Sequence, residues 1–169
     1  MDINPDLASE IYQKACDYLS RREHSVLELY NKLTKFFLPK KDHYQFFDEQ
    51  ELSAAIAQTM DKLKKLNFVS NERFTEKFIE SKLNRYQGPL LIQQHLRTKG
   101  ITNELWLEKW SQFEDQSADI CQLALAKWLR RHQREKITNI QEKAKATRYL
   151  GSQGFYQHTI YDTLASFEE

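Results

Sequence analysis

The 169 residues are 40% hydrophobic and 29% charged, with a net charge of +1, a balance too apolar for disorder and too even for a general polyanion binder. Only 4 Gly and 3 Pro occur, too few to punctuate a many-stranded sheet, while the abundant Leu, Ala, Glu, Gln and Lys lose little in a helix. The expected class is all-α, in a chain long enough to bury about two-thirds of its unfolded surface.

The first helix opens with Asn4 as cap and Pro5 in the first turn, where a missing N–H costs nothing. Ile11, Ala15, Tyr18 and Leu19 keep one face apolar until Arg21-Arg22-Glu23-His24 interrupts it. Ser25-Val-Leu-Glu28 reads as a capping box that restarts a helix carrying Val26, Leu29, Tyr30, Leu33 and Phe36 or Phe37, stopped by Pro39. After a polar and aromatic loop, Asp48-Glu-Gln-Glu51 caps a third helix with the stripe Leu52, Ile56, Met60, Leu63 and Leu66, ended by Asn67 in a left-handed conformation. Ser70 or Asn71 caps the fourth, with Phe74, Phe78, Ile79 and Leu83. Gly88-Pro89 starts the fifth, with Ile92 and Leu96, and Gly100-Ile101 stops it. The sixth carries Leu105, Trp106, Trp110 and Phe113, the seventh Ile120, Ala124, Leu125, Trp128 and Leu129, the eighth Ile140, Ala144 and Leu150, and the ninth Ile160 and Leu164. Aromatic residues at this spacing read as core.

Cys16 and Cys121 stand in helical apolar patterns and read as buried, reduced thiols rather than a disulfide. The polar, acidic start MDINPDLASE is no signal peptide, and no apolar run reaches the roughly 20 residues that span a bilayer, so a cytoplasmic protein is expected. His24, His43, His95, His132 and His158 are scattered without metal-ligand spacing, and there is no Gly-rich phosphate loop, H-E-x-x-H or G-x-S-x-G. No catalytic residue, metal or cofactor is expected, and His24 reads as a helix-junction residue.

Aligning the helix stops reveals an internal repeat. Leu96-Arg-Thr-Lys-Gly100-Ile101 matches Leu150-Gly-Ser-Gln-Gly154-Phe155, and Leu33-Thr-Lys-Phe-Phe37-Leu38 holds the same place in the first third, with Phe37 in place of glycine. Leu29, Ile92 and Ala146 precede the anchor leucines by four residues, and the helix starts Ser25 and Gly88 precede theirs by eight. The anchors lie 63 and 54 residues apart, room for three helices each. The expected architecture is three tandem three-helix repeat units, at 1–69 with a long connection at 37–47, at 70–114 and at 115–169, forming an elongated, curved body. Charge is uneven along it. Lys127 to Arg148 holds eight basic against two acidic residues, whereas Ile101 to Asp119 holds five acidic against one basic, an asymmetry suited to oriented binding.

Arg21-Arg22-Glu23-His24-Ser25-Val26-Leu27-Glu28-Leu29, with Lys32-Leu33, resembles the first-unit signature of the RecX family. Phe68-Val69-Ser70-Asn71-Glu72-Arg73-Phe74, continuing through Phe78-Ile79, Gly88-Pro89, Ile92, Leu96 and Lys99-Gly100-Ile101, is similar to its middle unit. Lys143, Arg148-Tyr149-Leu150 and Gly154-Phe155 fit the last more loosely. The connection from Lys40 to Phe47 is longer than is usual in the family. The resemblance implies three tandem three-helix units in a bent rod and a regulator of the recombinase RecA. Such a regulator lodges in the helical groove of the RecA–DNA filament and suppresses ATP hydrolysis, strand exchange and coprotease activity, without cofactor or catalytic residues. The implied partner is the RecA filament, with single- or double-stranded DNA bound weakly, directly or through the filament, by a monomer that needs no membrane or small-molecule substrate.

Basic residues beside the repeat caps and in the basic segment are the expected contacts: Arg21, Arg22, Arg73, Lys82, Arg85, Arg97, Arg130, Arg131 and Arg148. Arg22 and Arg73 carry a second reading, as fold-holding partners of Glu28 or of cap carbonyls. Direct nucleic-acid binding through Lys127 to Arg148, with Trp128 and Tyr149 nearby, is the alternative function.

Overall fold

The structure, a computed structural model, describes residues 5–40 and 49–167. Among them are nine α-helices and no strand, in agreement with the all-α class. They are α1 (Pro5–Leu19), α2 (Val26–Phe37), α3 (Glu49–Lys65), α4 (Asn71–Leu83), α5 (Pro89–Thr98), α6 (Asn103–Trp110), α7 (Ser117–Arg131), α8 (Ile140–Ser152) and α9 (Gln157–Ala165), with short 3-10 turns at Leu38–Lys40 and Glu114–Gln116. The expected caps at Asn4 and Asp48 and the 41–47 part of the connection lie outside the described residues.

Local chemistry sets the helix ends. Ser25 Oγ accepts from the Glu28 amide at 3.0 Å, Ser70 Oγ from Arg73 at 3.2 Å and Asn139 Oδ1 from Glu142 at 2.9 Å, each satisfying an amide that the first turn leaves without a partner. Asn67 (φ 55), Gly100 (φ 76) and Gly154 (φ 88) take the left-handed conformation expected of them. Tyr86 (φ 60) and Gln133 (φ 57) do so as well, against the preference of their residue types. Both close a helix through the same wide loop: Gln87 N donates to Lys82 O at 3.1 Å and Arg134 N to Leu129 O at 3.0 Å.

The chain forms two compact units, one of residues up to Phe74 with Lys99–Ile101, the other of Thr75–Thr98 and Thr102 onward. In the first, α1, α2 and α3 pack about Leu7, Ile11, Leu29, Leu33, Phe37, Leu52, Ile56 and Leu63. In the second, α7, α8 and α9 pack about Cys121, Leu125, Leu129, Ala146, Leu150, Phe155, Ile160 and Leu164. The aligned repeat positions Leu29, Leu33, Ile92, Leu96, Ala146 and Leu150 are all buried.

Four expectations about burial need correction. Leu66 is 49% exposed, because α3 has ended at Lys65 and the chain is already turning toward Asn67. Ile140 is 82% exposed and Ala144 is also exposed. The buried stripe of α8 is Glu142, Ala146 and Leu150, while Ile137, ahead of the cap, folds in to fill the core. Cys121 is buried and free, but Cys16 is only half-buried, at the rim of the first core.

One joint occurs twice. In the second unit, Gly88 N donates to Gln153 O at 2.7 Å and Leu90 N to Gly154 O at 2.9 Å, so the start of α5 is capped by the turn that ends α8. In the first unit, Ser25 Oγ, one repeat before Gly88, donates to Lys99 O at 2.7 Å, and Lys99 is one repeat before Gln153. Glycine lets the chains approach this closely: a Cβ on Gly100 would stand 2.9 Å from Leu27, and one on Gly154 2.4 Å from the Leu91 amide. Phe37, in the third such position, receives no helix start among the described residues and is buried in its own core instead.

Candidate partner interface

The nine basic residues divide between the units: Arg21, Arg22 and Arg73 lie in the first, and Lys82, Arg85, Arg97, Arg130, Arg131 and Arg148 in the second.

In the first unit the signature stretch builds an ion cluster around the start of α2. Glu28 does not reach back to the amide of its cap, as a reciprocal capping box would require. Its carboxylate takes both Arg22 nitrogens, at 3.1 and 2.7 Å, and Lys99 Nζ at 3.0 Å. Burial pushes this carboxyl up, but the hydrogen bonds and charges of Arg22 and Lys99 outweigh it and hold the group at about 2. Arg73 donates to Glu23 at 3.0 Å and to the side chain and carbonyl of Asn67 at 2.7 and 2.9 Å, tying the end of α3 to the turn before α2. Arg22 and Arg73 are therefore engaged within the fold, whereas Arg21 is exposed.

His24 sits beneath this cluster, 1% exposed. Its Nδ1–H donates to Arg22 O at 3.0 Å, which leaves Nε2 to accept from Lys32 Nζ at 2.9 Å. Burial, and then the charge of Arg22, lower its pKa below the ordinary 6.5. The unfolded chain thus takes up this proton first, so His24 contributes stability above about pH 6.5 that is lost as pH falls from there toward its depressed folded value. Urea midpoints should drop between about pH 7.5 and 5.5, and less so in His24→Gln. An equal drop in the two proteins would contradict this assignment.

In the second unit the fold gathers residues that are distant in sequence. Tyr86, held in its left-handed conformation, packs on the α7–α9 core beneath Lys127, whose Nζ lies 4.8 Å from the ring centroid. Its neighbour Arg85 is exposed, as are Arg130 and Arg131 at the end of α7. Trp128 stacks on Tyr149 at 6.3 Å. Burial raises the Tyr149 phenol pKa against the opposing pull of the nearby Arg131 charge. Arg148, one residue earlier, is exposed, with Nε donating to Ala144 O at 3.3 Å. Arg134, in the same basic segment, is instead paired with Glu142.

Lys127 over Tyr86 and Arg131 near Tyr149 give a rim of cations at partly buried aromatic rings, with the exposed Arg85, Arg130 and Arg148 next to them in sequence, able to hold phosphate or carboxylate groups by charge-assisted contacts. Lys127 belongs to it and was not among the nine; its place three and four residues before Arg130 and Arg131 on one helix was the signal available. Lys82 Nζ lies 5.0 Å from the Phe78 ring centroid, and Arg97 is exposed in the last turn of α5. Among the described residues no group of His, Cys, Asp and Glu is placed to hold a metal ion, and no helix is long and apolar enough to cross a membrane.

The sequence and fold have close counterparts. Residues 70–108 match the family model described as RecX, second three-helix domain. A Regulatory protein RecX of Ralstonia pickettii (strain 12J) is 30% identical over 156 residues, covering 92% of this chain and 87% of that protein. Another, of Ralstonia nicotianae, is 32% identical over 147 residues, covering 87% of this chain and 81% of that protein. The crystal structure of RecX from Lactobacillus salivarius superposes with a TM-score of 0.73 at 18% identity, covering 97% of this chain and 98% of that one. With relatives of that identity aligned along most of both chains, and the signature around Ser25 and Glu28 folded into a working helix joint, this chain belongs to the RecX family of regulatory proteins.

Proposed function

We propose that this protein binds the RecA–DNA filament in its helical groove and modulates RecA, mostly by inhibiting its ATPase, strand-exchange and coprotease activities. In this reading it acts in the cytoplasm as a monomer, by occupancy and without catalysis, with DNA contacted weakly or through the filament. Its nine helices serve as three units, 1–69, 70–114 and 115–169. Family membership supports the RecA assignment, and the observation that carries the binding site is the cationic rim of Arg85, Lys127, Arg130, Arg131 and Arg148. Arg21, Lys82 and Arg97 remain candidate contacts outside that rim, whereas Arg22 and Arg73 are assigned to holding the fold.

The same rim would serve the second reading, direct nucleic-acid binding independent of RecA, and one titration separates the two. With the protein added below one copy per RecA protomer, DNA-dependent ATP hydrolysis should fall, because a filament regulator needs few sites whereas a protein that merely coats DNA needs saturation. Unchanged hydrolysis at these ratios, with the protein folded, would sink the RecA assignment and leave direct binding in its place. Arg130→Glu with Arg131→Glu should raise the half-inhibiting concentration about tenfold or more and flatten its salt dependence. Unaltered inhibition would exclude the rim.

A further inference from the structure

The acidic stretch that precedes α7 has no part in the cationic rim. It borders a groove of about 400 Å³ within the second unit, lined by Glu114 and Asp115 from the 3-10 turn, Asp162 from α9, and the rings of Trp110 and Tyr156. His158 stacks on Tyr156 with centroids 5.6 Å apart, and neither Lys nor Arg lines the groove. Glu114 and Asp115, beside the start of α7, are explained in part by the helix dipole. Asp162 is not, since it lies in the second half of α9. No ion pair engages any of the three carboxylates among the described residues. Ser117 Oγ, also lining the groove, is buried without a hydrogen-bond partner, an unusual state for a hydroxyl in a native fold.

Carboxylates from two separate elements, aromatic walls and an unused polar atom are the chemistry that takes up a cationic side chain. The carboxylates supply charge-assisted acceptors, the exposed Tyr156 ring a face for the cation, and the Ser117 hydroxyl is an acceptor the fold leaves unused. We propose that this groove receives an arginine or lysine side chain from a basic segment of the filament protein, while the cationic rim faces an acidic or phosphate-bearing surface. The inference rests on the filament reading given above. It adds a second contact of opposite charge, and two contacts of opposite sign fix the orientation of a bound protein more firmly than either alone.

The test has two arms, each on the full chain. In the first, an acetylated and amidated tri-arginine peptide is titrated against the protein, with tri-citrulline as the neutral counterpart, and amide shifts are followed by NMR. Arginine should move the Trp110 indole, Ser117 and the Tyr156 to Thr163 amides, citrulline should not, and Asp115→Asn with Asp162→Asn should weaken the response about tenfold. Equal responses to the two peptides, none in this region, or no effect of the double substitution would overturn the proposal. In the second arm, co-sedimentation with RecA on single-stranded DNA should show about tenfold weaker binding of the double variant. Equal binding of variant and parent overturns the groove as a filament contact. A parent that fails to sediment overturns the filament reading itself, and the peptide arm then decides the groove alone.

Discussion

Replacing Gly154 by alanine is expected to cost about 3–5 kcal/mol of stability, the sum of left-handed strain on a residue with a Cβ and of overpacking against a neighbour. At φ 88 the position suits glycine, and the added Cβ would lie 2.4 Å from the Leu91 amide and 2.5 Å from the Leu91 Cβ. Neither obstacle is the free end of a flexible side chain, so relief requires the start of α5 to move. Moving it would break the bonds from Gly88 to Gln153 and from Leu90 to Gly154. Gly151 is the internal comparison. It lies in α8 with open space around an added Cβ, so Gly151→Ala should be neutral or stabilise by up to about 1 kcal/mol. Urea denaturation of the two variants checks the pair, and similar midpoints would refute the account of the joint.

Replacing Glu28 by glutamine is expected to cost about 2 kcal/mol and to alter the acid limb of the stability profile. The folded carboxyl protonates at about 2, against 4.5 as its ordinary value. Its contribution is complete above pH 4.5 and lost as pH falls through that value toward 2. Arg22 is half exposed, with 50% of its side chain open to solvent, so screening reduces the gain well below what the full shift would imply. Glutamine cannot titrate, and it leaves the positive charges of Arg22, Lys99 and Lys32 around His24 without their carboxylate. Thermal unfolding between about pH 5 and 2.5 should therefore fall more gently in the variant. Parallel curves would show that the Glu28 cluster does not hold the joint.

The readable parts of this fold are those decided within a few residues. Ser25, Asn67 and Gly100 announce helix ends because a cap or a left-handed turn is a local event, and the Leu-x-x-x-Gly spacing exposes the repeat for the same reason. What the sequence hides is what lies far along the chain. Glu28 looks like half of a capping box until Lys99 is found beside it, 71 residues on. Nothing near Tyr86 says that it will adopt a left-handed conformation beneath Lys127, a residue of α7. Ile140 fits the helical stripe by spacing, yet Ile137 from the preceding turn takes the interior place. For the candidate site, the basic segment and the doubt over Arg22 and Arg73 were legible. Which arginines are engaged and which stand free depended on carboxylates brought in by folding.

The recurring joint also bears on how such a chain can grow by duplication. A copied unit inserted in the middle brings a helix start for the turn behind it and a glycine turn for the start ahead, so both halves of each joint are renewed together. A copy placed ahead of α1 would meet Phe37, a residue with a side chain buried in the first core, where the other turns carry Gly100 and Gly154. Lengthening at that end would first require a second, independent change at Phe37. The ring that completes the first core thus makes the number of repeats hard to increase from one side.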